Sequence, residues 1–156
     1  MKKSSVILAI IGFVFILSAC GGGAGGDADA PADGSITTSV SSIPWEYATD
    51  SSGSRTGSFT IVVKNANGIP LEDVSVTIFN TLAEPFASSI QLYDGNPDDG
   101  APAKDAPMTV TTDENGSYTL YFDFVVGVEY ASNFQITSGS LSKSVSLEVT
   151  EAEDDS

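Results

Sequence analysis

The chain has 156 residues, enough for one hydrophobic core behind a leader and too few for two. Its 21 acidic residues against 6 basic ones give a formal charge of −15, a field that repels nucleic acid and anionic lipid surfaces and suits basic partners or divalent cations. With no histidine and a single cysteine, nucleophilic catalysis has few players, and stability has to come from packing in place of disulfides.

The first element is a leader. Lys2 and Lys3 form a positive start, and residues 6–17 are an apolar run broken only by Gly12. This is a secretory signal. A membrane-spanning helix needs about 20 apolar residues, and residues 6–19 fall short of that. The leader closes on Leu17-Ser18-Ala19-Cys20, which resembles the lipobox of bacterial lipoproteins. That resemblance implies cleavage after Ala19, a thioether-linked diacylglycerol and a further acyl chain on Cys20, and attachment to a membrane through lipid. Single acyl chains bind only marginally, so two or three make attachment stable. Loss of Lys2 and Lys3 with the leader takes the formal charge from −15 to −17. Residue 21 is Gly, where such lipoproteins carry Asp for inner-membrane retention, so the resemblance implies the outer membrane. In a Gram-positive cell it implies the outer side of the single membrane.

Residues 20–34 follow as a Gly/Asp/Ala-rich stretch with no large apolar side chain, read as a flexible tether reaching on the order of 20 Å. Gly21, Gly23 and Gly26 match G-x-G-x-x-G, but no strand and helix frame them, so dinucleotide binding does not follow.

From residue 35 to 150 the apolar period is two, the pattern of half-buried strands. Phe59, Ile61 and Val63 share one parity. So do Val74, Val76 and Ile78; Tyr118, Leu120, Phe122 and Phe124; Phe134 and Ile136; and Val145, Leu147 and Val149. Asn65-Ala66-Asn67-Gly68 supplies a turn. Hairpins are predicted at Asp113-Glu114-Asn115-Gly116, between residues 108–112 and 117–124, and at Ser138-Gly139-Ser140. Weaker strands at 35–43 and 88–93 bring the count to seven or eight, an all-β sandwich in a single domain, with residues 151–156 as an acidic tail. Tyr130 suits either core packing or a tyrosine corner, in which the hydroxyl reaches back to the backbone.

The segments FTIVVKNANGIPLEDVSVTI at 59–78 and TTDENGSYTL at 111–120 resemble bacterial immunoglobulin-like domains, in particular the Big-1 module of intimin- and invasin-type surface proteins. The carboxypeptidase regulatory-like sandwich shares the pattern and is the second choice. Residues 94–107 depart from both as an insertion. The first resemblance implies a module for adhesion or assembly in the cell envelope with a protein or glycan partner; the second implies a carbohydrate-binding or enzyme-accessory module.

Within the insertion, Asp94, Asn96 and Asp98 take the first, third and fifth places of a calcium loop, with Asp99 and Asp105 nearby. The loop lacks the glycine and the final glutamate that such a site needs. Calcium and a solvated loop both remain readings of it. Trp45 and Tyr47 are candidates for an exposed ligand contact, or for an edge plug over the core. Ser140-Leu141-Ser142-Lys143 spells S-x-x-K without the partner motifs of penicillin-binding enzymes. The chain is therefore expected not to be an enzyme, a carboxylate-based hydrolase being the distant alternative. Its expected role is a lipid-anchored surface module.

Overall fold

The computed structural model describes residues 28–83 and 86–153. The leader and Cys20 lie outside them. The strands are β1 (Ser35–Thr38), β2 (Ser42–Tyr47), β3 (Gly53–Lys64), β4 (Ser75–Asn80), β5 (Ile90–Tyr93), β6 (Ala103–Lys104), β7 (Met108–Thr111), β8 (Ser117–Val126), β9 (Tyr130–Ser138) and β10 (Leu141–Glu151). They form two five-stranded sheets, ordered β1-β3-β8-β5-β6 and β2-β10-β9-β4-β7. The first four strands of one sheet and the β10-β9-β4 core of the other reproduce the A-B-E-D and G-F-C arrangement of an immunoglobulin-like sandwich.

The inner faces are the predicted apolar sets. Phe59, Ile61, Val63, Leu120, Phe122 and Phe124 from the first sheet meet Val76, Ile78, Phe134, Ile136, Val145, Leu147 and Val149 from the second, all buried. Phe122 spans the layers, its ring centroid 4.5 Å from that of Phe134, and each such side chain stabilises the fold by about 1.5–3 kcal/mol. Phe122 also needs Gly57 on β3, because a Cβ there would lie 2.6 Å from the ring.

Four expectations are corrected. Among the described residues the strand count is ten, partly because the strand predicted at 35–43 splits: β1 pairs antiparallel with β3, whereas β2 crosses over and pairs parallel with β10. Periodicity marks which residues face inward, not which sheet a strand joins. The insertion contributes β6, which forms a hairpin with β5 before the chain returns to the other sheet as β7. Asp113–Gly116 is not a hairpin, since β7 pairs with β4 and β8 with β3 and β5. It is a corner between sheets. Lastly, the predicted tether ends early. Ala28 pairs with Val74, the Ala28 carbonyl accepts from Ser75 N–H at 2.9 Å, and buried Ala30 donates its N–H to Ser138 Oγ at 2.8 Å. Backbone pairing docks this stretch without large side chains.

The Gly139-Ser140 turn joins β9 to β10 as predicted. Tyr130 makes the corner bond, its hydroxyl donating to the Val125 carbonyl at 2.9 Å. Among the described residues no helix is long and apolar enough to cross a membrane.

Candidate functional site

The sequence candidates scatter. Tyr47 is buried, with 6% of its surface exposed, so it is no contact residue; burial, then the Glu151 and Glu129 carboxylates, push its hydroxyl pKa up. Trp45 is half-buried at the β2 edge and meets Phe124 edge-on at 5.2 Å. It packs against the core from an edge strand, whose neighbouring positions Pro44 and Glu46 are exposed.

The acidic loop does not converge on one point. Asp94 sits 3.8 Å from the Lys104 ammonium and accepts from the Tyr118 hydroxyl at 3.2 Å. Asn96 turns its Oδ1 onto Asp98 N–H at 3.1 Å, capping the short Pro97–Asp99 helical turn. Asp98 and Asp99 are exposed on that turn. Asp105 lies instead at an open cleft of about 390 Å³ with Asn80, Leu82, Ile90, Gln91 and Lys104. Among the described residues no three Asp, Glu, Cys or His side chains are grouped to hold a metal. Cys20 lies outside the described residues.

An organised polar surface that no local sequence pattern marks lies on the solvent face of the first sheet. Alternation along β8 turns Tyr121 and Asp123 outward while Leu120, Phe122 and Phe124 go into the core. On β5, Gln91 and Tyr93 alternate in the same way with Ile90 and Leu92. Antiparallel pairing sets Tyr93 directly opposite Tyr121 and Gln91 opposite Asp123, and β3 adds Thr56 opposite Asp123 and Ser58 opposite Tyr121.

Asp123 organises this face. Its Oδ2 accepts from the Tyr93 hydroxyl at 2.9 Å and its Oδ1 from the Thr56 hydroxyl at 2.6 Å. Gln91 is held through its Nε2, which donates to the Lys104 carbonyl at 2.7 Å. The bond to Asp123 raises the Tyr93 pKa, with burial and the carboxylate's charge adding to it. Tyr93 thus stays a neutral hydroxyl donor through the physiological range. Outward parity was legible for Tyr121 and Asp123; the pairing of β5 with β8 that completes the cluster was not, because the intervening insertion hides it.

No family model matches the chain, and no curated protein matches it. Solved structures with a similar arrangement include the surface layer protein SbsC, domains 1–6 (13% identity, TM-score 0.48, covering 76% of this chain and 13% of that one). The D0-D1 domain of intimin is another (14% identity, TM-score 0.42, 74% and 46%). A third is a family 2 glycosyl hydrolase from Bacteroides cellulosilyticus (12% identity, TM-score 0.46, 80% and 14%). The chain spans less than half the length of each of these three. They are similar in arrangement and say nothing about what this chain does.

Proposed function

We propose that this chain is a lipid-anchored cell-envelope protein that presents one immunoglobulin-like domain as an interaction module, at the outer membrane in a Gram-negative cell. The support from sequence is the Leu17–Cys20 lipobox behind a short apolar leader, with Gly at position 21. The observation that carries the reading is where the chain joins the domain. Ala28 pairs with Val74, at the end of the sandwich that also holds the β9–β10 turn. An anchor on Cys20 then tethers the domain by one end, through at most about 28 Å of chain, and leaves both outer sheet faces clear of the bilayer.

Fractionation of cells making the full chain tests this. Wild type should pellet with membranes and be released by detergent, whereas Cys20→Ala should fold and appear in the soluble fraction. Membrane retention of Cys20→Ala would overturn the lipid anchor.

A further inference from the structure

We propose that the solvent face of the first sheet binds a neutral polysaccharide, with sugar rings stacked on Tyr93 and Tyr121 and sugar hydroxyls donating to Asp123. This gives the interaction module its ligand class and rests on that reading, but not on the lipid.

The geometry of Tyr93 is the starting point. Its Cα partner is Tyr121, yet its hydroxyl bonds to Asp123, two residues further along β8. Such diagonal neighbours lie roughly 7–8 Å apart. To make that bond the Tyr93 side chain must lean along the sheet toward Asp123 instead of standing straight off it, and the outer side of the leaning ring is the stacking surface of this proposal. Ring orientation is thereby fixed before any ligand arrives, and the entropy of ordering the side chain is not lost on binding. Tyr121 sits one strand away, about 4.8 Å across the sheet. Two aromatic surfaces in one row suit consecutive rings of an extended glycan laid across the strands.

The polar groups agree. An ionised carboxylate offers about four acceptor sites, and Asp123 uses one on each oxygen. The remaining capacity, on a carboxylate whose register neighbours include Thr56 and Gln91, suits hydroxyl donors, which sugars supply in abundance. Among the described residues no lysine or arginine ion-pairs with Asp123. With that local charge and a strongly acidic chain, acidic glycans are repelled and neutral ones accepted. A protein partner fits less well, because protein interfaces centre on buried apolar anchors. Among the described residues the exposed large apolar ones, Val40, Ile69 and Val128, lie outside the strands that form this face.

The test is electrophoresis of the full chain, in non-ionic detergent, through native gels containing hydroxyethylcellulose, galactomannan or the anionic polymer polygalacturonate. Retardation by at least one neutral polymer and not by polygalacturonate is expected. Tyr93→Ala and Tyr121→Thr should each weaken that retardation at least about tenfold. Tyr93→Phe keeps the ring, loses only its bond to Asp123 and should fall between. Unchanged circular dichroism certifies the fold of each variant, and Tyr93→Phe carries the test if a larger change unfolds the domain. Free migration of wild type through both neutral polymers, retardation by polygalacturonate alone, or full retardation of the variants would overturn the proposal. None of these outcomes bears on the fractionation of Cys20→Ala, so the two readings fail separately.

Discussion

Asn65 and Asp113 hold two copies of the same turn, one at the exit of β3 and one at the entry to β8. Asn65 Oδ1 accepts from the N–H groups of Asn67 and Ile69 at 2.9 and 3.0 Å, and Asp113 Oδ1 from those of Asn115 and Ser117, both at 2.9 Å. The backbone closes identically in both, with Asn65 N–H donating to Ile69 and Asp113 N–H to Ser117. The last turn glycines, Gly68 and Gly116, have φ of 77° and 67°. Yet their surroundings differ. A Cβ on Gly68 would meet open space, whereas on Gly116 it would lie 2.6 Å from Leu71 N and 2.8 Å from the Val63 carbonyl. Gly68→Ala should therefore destabilise the domain by about 1 kcal/mol, the cost of positive φ alone. Gly116→Ala should cost about 2–4 kcal/mol, with the clash added. Urea unfolding of both variants checks the ranking, and equal losses would contradict it.

Stability should fall in alkali, and Tyr130 should carry part of the fall. Burial pushes its hydroxyl pKa from 10.0 up to about 12, so between those values the unfolded chain loses a proton that the folded one keeps. The stabilisation is complete below pH 10 and is lost as pH rises through about 12. Thermal midpoints should be level through pH 9 and drop above about 10. Tyr130→Phe should start lower, having lost the bond to Val125, and decline less steeply. Parallel alkaline declines in the two proteins would remove Tyr130 as the cause.

Calcium should not stabilise this domain specifically. Asp94 is committed to Lys104 and Tyr118, Asn96 caps the Pro97–Asp99 turn, and Asp105 faces a different cleft. Melting in millimolar calcium, in magnesium at equal ionic strength and in EDTA should give calcium and magnesium midpoints within about 1 °C of each other. A calcium-specific rise would show that the loop rearranges around the ion.

The core was legible because burial on one face imposes a period of two. Phe59, Ile61, Val63, Phe122, Phe134 and Val145 all lie where their alternation put them. Connectivity was less legible. Asp-x-x-Gly chemistry at Asp113 specifies a tight reversal, but reversal within a sheet and between sheets use the same local bonds, and only the distant partner of β7 distinguishes them. Ala28 and Ala30 were hidden for a related reason, since a stretch that docks through its backbone leaves no apolar signature. The Tyr93, Tyr121 and Asp123 face depends on strands separated by 23 residues of chain between Tyr93 and Ser117, so no local pattern announces it.

The parallel pairing of β2 with β10 has a mechanical consequence. The chain enters the sandwich beside Ala28 and runs up through β1 and β2, while β10 leaves at the opposite end past Glu151. Tension between those two points drags β2 and β10 in opposite directions along their shared axis. The six register pairs from Ser42–Ser146 to Tyr47–Glu151 are then loaded together in shear, not peeled one at a time. A domain held by one end and pulled from the other would meet this seam in shear once Ala28 and β1 had been drawn away from Val74 and β3.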